Sequence, residues 1–196
     1  MIIEQQIAQA VATLRNGGVV VFPTETAYGL AADATNPQAV ARICAIKGRE
    51  PGKSFPLIAQ SREMVERFAG IPRVLERLAA QHWPGPLTLV LPVMGNRLVP
   101  EVCRNETIAI RVSSHPVAAT LSQGIDAPIV STSANLSGER TCYTVEDVKK
   151  QFEGREGPDY YLDIGELKPE PPSTIVDIDD YGYPEVLRQG TITLNS

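Results

Sequence analysis

Histidine, cysteine and aromatic residues are scarce in this chain. Two histidines, three cysteines and one tryptophan stand among 196 residues. His82 and His115 are the whole supply of imidazole bases, and no Gly-x-Ser-x-Gly turn occurs. Ser-His-Asp hydrolase chemistry therefore has little to rest on; a helix end and an N-cap account for the two histidines more simply. Cys44, Cys103 and Cys142 are widely separated, and no two have zinc-ligand spacing. An odd number of cysteines points to free thiols in a reducing compartment. No apolar run approaches the about 20 residues of a membrane helix. The first residues carry Glu4 and glutamines in place of an apolar signal core. The expected location is the cytoplasm, away from membranes. Basic excess is also missing. The net charge of −5 gives no global signature for nucleic acid, so an RNA contact would need a local basic patch. Neither a Walker A loop nor a Gly-x-Gly-x-x-Gly fingerprint is present.

What is present suits a soluble domain with a real core. Hydrophobic residues make up 43% and charged residues 21%, and the length fits one domain over 1–196. Apolar spacing at Ile7, Ala10, Val11 and Leu14 predicts a helix over 4–16, stopped by Asn16-Gly17-Gly18. Val19–Phe22 reads as a buried strand and 24–30 as a loop. Asn36-Pro37 opens a helix running towards Ile46. Further strands are expected at 55–59, 87–91, 107–112 and 129–130, with strand-like runs at 160–164, 173–178 and 185–188. Helices are expected after Ser61 (about ten residues, N-capped), over 72–82, from His115-Pro116 to Leu121, and over 145–152. Trp83-Pro84-Gly85-Pro86 reads as a rigid turn. Strands and helices alternate irregularly, which predicts an α/β or α+β fold with a sizeable twisted sheet.

Four segments carry chemistry. Ser131-Thr132-Ser133-Ala134-Asn135-Leu136-Ser137-Gly138 follows the apolar run Ala127–Val130. Hydroxyls, an amide and bare backbone N–H groups gathered after a strand suit phosphate or carboxylate oxygens; the same residues also make an ordinary helix-capping turn. Lys47, Arg49 and Lys53 put three cations on one Gly- and Pro-containing loop, suited to a polyphosphate or simply to solvent. Arg111 stands inside the apolar strand Ile108-Ala109-Ile110-Arg111-Val112. A buried guanidinium needs an anion, which is either a carboxylate of the protein or a ligand carboxylate bound through two parallel N–H bonds. Ser173-Thr174 again offers hydroxyls at a strand start.

Taken together, the chain resembles the threonylcarbamoyl-AMP synthase (YrdC) family. The resemblance rests on seven pieces in order: Pro23-Thr24-Glu25-Thr26-Ala27-Tyr28-Gly29-Leu30; Lys47-Gly48-Arg49 with Lys53; Trp83-Pro84-Gly85-Pro86-Leu87-Thr88; Ile110-Arg111-Val112 with His115-Pro116; the octapeptide from Ser131; Pro172-Ser173-Thr174-Ile175-Val176-Asp177; and Leu187-Arg188-Gln189-Gly190. They span residues 23–190. The resemblance implies a twisted mixed sheet with flanking helices around a deep concave cavity. It implies an enzyme that joins L-threonine, bicarbonate and ATP into threonylcarbamoyl-AMP and pyrophosphate. That product feeds a modification of tRNA through downstream threonylcarbamoyl-transfer proteins, and Mg2+ accompanies the ATP with no tightly bound protein metal. The length resembles the short form of the family.

Residue by residue, the resemblance implies that Lys47, Arg49, Ser133 and Asn135 are catalytic. Arg49, Lys53, Thr107, Ser133, Thr141 and Arg188 would contact ATP. Thr26, Gln60, Arg111, Ser131 and Ser173 would contact threonine, with Arg111 on its carboxylate and Tyr28 walling the pocket. Gln60 stands where many members carry a histidine. Two other readings accompany the first: a relative forming carbamoyl-AMP for another acceptor, and a module binding tRNA or double-stranded RNA, which salt would weaken steeply.

Overall fold

The computed structural model describes residues 2–48 and 54–194. In chain order the elements are α1 (Ile2–Arg15), β1 (Val20–Pro23), β2 (Tyr28–Asp33), α2 (Pro37–Lys47), β3 (Leu57–Ala59), α3 (Arg62–Glu66), α4 (Arg73–His82), β4 (Leu87–Pro92), β5 (Thr107–Val112), α5 (Pro116–Ile125), β6 (Ile129–Ser133), α6 (Val145–Phe152), β7 (Tyr160–Tyr161), β8 (Thr174–Ile178) and β9 (Pro184–Arg188). The strands form one mixed sheet in the order β7-β1-β2-β6-β3-β5-β4-β8-β9. Parallel pairs β1/β7, β3/β5 and β4/β8 interrupt antiparallel pairs such as β1/β2, β2/β6 and β4/β5.

Sheet alternation sorts the side chains onto two faces. Leu57, Leu87, Leu89, Ile108, Ile110 and Val130 point to one face. There they meet Val40 and Ile43 of α2, Met64 and Val65 of α3, Leu75 of α4, and Val148 and Phe152 of α6 in a continuous core. Val20, Phe22, Ala31, Ile58 and Ile129 point to the other, under Ala10 and Leu14 of α1 and Val117, Ala118 and Leu121 of α5. This second cluster stops at β3. Ile58, its last strand residue, is the register partner of Arg111 on β5. Beyond that line no helix among the described residues covers the same face of β5, β4 and β8.

Local signals explain most boundaries. Asn36 Oδ1 accepts from the N–H groups of Gln38 (3.0 Å) and Ala39 (3.1 Å) to cap α2. Gly48 ends that helix at φ 56°, a conformation glycine adopts at no steric cost.

The expectations for 24–30, Ser61 and the octapeptide need correction. Residues 28–30 belong to β2 instead of a loop. Tyr28-Gly29-Leu30-Ala31-Ala32 has weak strand propensity, but it is paired on both edges, by β1 and β6, and tertiary pairing outweighs propensity. Ser61 does cap a helix, accepting from Met64 N at 3.3 Å, yet α3 has only five residues. Strand β6 runs through Ser133, so the first three residues of the octapeptide are strand and only the rest is a turn.

Candidate functional site

The open half of the sheet floors a cavity of about 950 Å³. Residues that alternate with the buried apolar ones line it: Thr88 and Val90 on β4, Thr107, Ala109 and Arg111 on β5, Ser131 and Ser133 on β6, and Ile175 and Asp177 on β8. Leu187 and Arg188 on β9 close one side, and Thr24 and Thr26 from the β1–β2 turn close the other. Thr88 pairs in register with Ile175 and Ile175 with Arg188, so a single cross-strand row carries a hydroxyl to a guanidinium.

Two arginines share this cavity. Arg111 is 7% exposed, and its Nη1 donates to Oε1 of Glu25 in an ion pair. The counter-anion required of a buried arginine is thus a carboxylate of the protein. Burial pushes the Arg111 pKa down, against the upward pull of Glu25. Arg188 donates from Nε to Ser173 O (3.1 Å) and from Nη2 to Ser173 O (2.9 Å) and Oγ (3.0 Å). Its pKa is lowered by burial and then by the positive charge of Arg111. Ser173, 8% exposed, shares a further hydrogen bond with Thr88 Oγ1 at 2.8 Å. Cations that repel one another across a hydroxyl-lined hollow form a site for an anion.

The octapeptide is held from behind by Lys47. This last residue of α2 is 4% exposed, and its Nζ donates to the carbonyls of Ser133 (2.7 Å) and Asn135 (2.6 Å). Ser137 Oγ donates back to Lys47 O at 2.8 Å. Asn135 closes the turn, donating from Nδ2 to the carbonyls of Leu136 (2.9 Å) and Glu139 (2.8 Å). Ala134 N donates to Tyr28 O at 2.9 Å, which ties the turn to β2.

The structure brings Thr26, Thr107, Arg111, Ser131, Ser133, Thr141, Ser173 and Arg188 to one cavity. Lys47 and Asn135 are not on its lining; they build the turn that presents Ser133. Gln60 is also off the lining, and its Nε2 donates to Ser61 Oγ at 3.3 Å. Arg49 and Lys53 lie outside the described residues. Tyr28 is fully buried, and its hydroxyl donates to Gly165 O at 2.7 Å. Burial is the main reason its pKa is pushed up to about 12. Residues that sequence reasoning passed over include Glu25, Thr88, Asp177 and Ser113. Thr88 and Asp177 were legible as alternate positions in Leu87-Thr88-Leu89 and Val176-Asp177-Ile178. Glu25 and Ser113 carry no such signal, because Glu25 stands 86 positions from Arg111 and 88 from Ser113 in the chain.

A mixed sheet helix-covered on one face from β2 to β4 and on the other only over its first half, with two arginines and a ring of hydroxyls on the bare part, defines an α/β protein whose sheet offers a site suited to a small anionic ligand. The chain belongs to the Sua5/YciO/YrdC family, whose model, described as telomere recombination, matches residues 12–190. It is 40% identical over 156 residues to a threonylcarbamoyl-AMP synthase of Halorhodospira halophila, covering 75% of this chain and 78% of that one. It is 38% identical to the synthase of Pseudoalteromonas translucida, covering 89% and 94%. Among solved structures, Sua5 of Pyrococcus abyssi complexed with L-threonine superposes with a TM-score of 0.86 at 37% identity, over 95% of this chain and 54% of that one. YciO of E. coli superposes with a TM-score of 0.79 at 30% identity, over 96% and 90%. The chain thus spans about half the length of the Sua5 protein and most of the shorter relatives.

Proposed function

We propose that the protein is an L-threonylcarbamoyladenylate synthase, a nucleotidyltransferase that makes threonylcarbamoyl-AMP and pyrophosphate from L-threonine, bicarbonate and ATP. The observation that carries this reading is the placement of Arg111 and Arg188 in one cavity with Thr26, Ser131, Ser133 and Ser173. The names of the relatives and the threonine complex of Sua5 support the same substrate.

In this reading Arg111 receives the threonine carboxylate, and the Thr26, Ser131 and Ser173 hydroxyls surround the rest of the amino acid. Arg188, Thr107, Thr141 and Ser133 face the nucleotide. The threonine amine takes up carbon dioxide derived from bicarbonate and loses a proton, giving an N-carboxylate. One oxygen of that carbamate attacks the α-phosphorus of ATP, and the bond to pyrophosphate breaks. Such an in-line displacement asks for alignment and for charge neutralisation, with no protein nucleophile. The cavity offers both. Its strand-borne hydroxyls are fixed by the sheet, and its arginines meet the negative charge of both substrates. Lys47 acts through the turn, holding the Ser133 and Asn135 carbonyls so that Ser133 keeps its place on the cavity wall. Magnesium fits as a companion of the phosphates, since it keeps several waters and takes few protein oxygens; Glu170 and Asp177 are the carboxylates on the lining.

Pyrophosphate release by the purified protein, with ATP, magnesium and bicarbonate, tests the reading. Release that requires both L-threonine and bicarbonate is expected. Release that ignores threonine, or none from a folded protein that binds ATP, would refute it.

A further inference from the structure

Glu25 has no part in the roles given above. It sits on the β1–β2 turn, which Thr24 pins by donating from both N (3.1 Å) and Oγ1 (2.7 Å) to Ala27 O. Its two carboxylate oxygens have separate partners. Arg111 Nη1 donates to Oε1. Ser113 Oγ donates to Oε2 at 2.6 Å and itself accepts from His115 N at 3.1 Å. The side chain is 14% exposed and lies behind the cavity: Thr24 and Thr26 on either side of it reach the lining, and Glu25 does not. Arg111 does reach the lining, and its Nε and Nη2 donate to no group among the described residues. A guanidinium is planar and stiff, so holding one nitrogen fixes the direction of the remaining N–H groups.

We infer that Glu25 is the positioning residue of a carboxylate subsite: it grips Arg111 by Nη1 and balances its charge while the cavity is empty, leaving the other N–H groups directed at the carboxylate of an incoming amino acid. Ser113 completes the device by fixing the far oxygen of Glu25. The inference rests on the proposed role of Arg111. It assigns to the chain a three-residue relay, Ser113 to Glu25 to Arg111, of which only the last member meets the ligand.

Reach and charge are separable here. Glu25→Asp keeps the charge but shortens the arm by one methylene, about 1.5 Å. Glu25→Gln keeps the arm and an acceptor for Nη1 but loses the charge. Steady-state kinetics on the wild type and both variants, with threonine and ATP varied in turn, reads the first property. Glu25→Asp is expected to raise the threonine KM at least tenfold, to leave the ATP KM within twofold, and to keep kcat at saturating threonine within threefold. Glu25→Gln, with the arm intact, is expected to raise the threonine KM less than Glu25→Asp does. A threonine KM within twofold of wild type in folded Glu25→Asp would overturn the inference, as would equal rises in both KM values. Melting temperature reads the second property without turnover. Glu25→Gln should melt below wild type, and sodium acetate should restore it more than sodium chloride at equal ionic strength, because the carboxylate takes the place of the missing counter-ion at Arg111. If the wild type shows no threonine-dependent turnover, the enzymatic reading fails and the melting comparison alone decides. Acetate-specific stabilisation that is larger in the variant than in the wild type upholds the subsite, and the absence of any acetate-specific stabilisation of the variant overturns it. The melting comparison likewise decides if Glu25→Asp fails to fold.

Discussion

Two halves of one sheet face differ in what covers them. Over β1, β2, β3 and the start of β6 the face lies beneath α1 and α5, and its alternate positions are Val20, Phe22, Ala31, Ile58 and Ile129, whereas the end of β6, with Ser131 and Ser133, already belongs to the bare part. Over β5, β4 and β8 no helix among the described residues covers it, and its alternate positions are Thr107, Ala109, Arg111, Thr88, Ile175 and Asp177. The opposite face of both halves is equally apolar. The same strand periodicity therefore builds core and site, and the change from one to the other happens between paired neighbours, Ile58 and Arg111. Stability should reside in the covered half and ligand chemistry in the bare half.

Substitutions that strike one half and spare the other sharpen this contrast. The largest effect is expected from Arg111→Ala, which sits at the border. It leaves Glu25 buried without its partner, costing about 3–5 kcal/mol of stability. It also removes a charge-assisted contact worth about 1.5–3 kcal/mol, so the threonine KM should rise roughly 10- to 100-fold with the ATP KM much less affected. Denaturant melts and two-substrate kinetics read the two effects separately, and equal rises in both KM values would count against the carboxylate role. Phe22→Ala, in the covered half, should cost about 3–5 kcal/mol in stability and leave both KM values of the folded protein near wild type. A changed threonine KM would break the division of labour.

Next comes Lys47→Ala. It strips the hydrogen bonds from the Ser133 and Asn135 carbonyls, at about 1–3 kcal/mol for each buried acceptor left unmade. Turnover should fall with weaker ATP use, read from initial rates against ATP concentration; unchanged ATP affinity and turnover would remove Lys47 from the account. The smallest effect concerns Tyr28. Its pKa is raised from 10.0 to about 12 by burial, so the native state holds the phenolic proton more tightly than the unfolded chain does. Its contribution is complete below pH 10 and is lost as pH rises towards about 12. Urea melts across that window should show a decline in stability that is shallower in Tyr28→Phe.

The sequence disclosed most of this architecture through periodicity and caps. The bounds of β5 and α6, the Asn36 cap and the Ser61 cap were all legible, because each depends on residues within a few positions. Strand β2 was not, because Gly29, Ala31 and Ala32 become strand only when β1 and β6 pair with them. The length of α3 escaped for a similar reason: Phe68 and Ala69 leave the helix to pack into the core, and Ala69 bridges to Val93. For the site, resemblance pointed to the eight residues that meet in the cavity, and alternation in Thr107-Ile108-Ala109-Ile110-Arg111-Val112 already marked β5 as two-faced. Composition could not reveal which anion answers Arg111. Glu25 lies 86 positions away, and only the folded sheet brings it there. Lys47 read as a cation for phosphates, and folding turns its ammonium towards the backbone of the octapeptide.

In the proposed reading the bare half of the sheet, and not the helix-covered half, receives the amino acid. Amide shift mapping of the labelled protein titrated with L-threonine tests it directly. Shifts are expected at Thr26, Arg111, Ser131 and Ser173 and at their strand neighbours, with α1 and α5 silent. Shifts centred on α1, α5 or the Val20–Phe22 face, with the cavity residues unmoved, would contradict it.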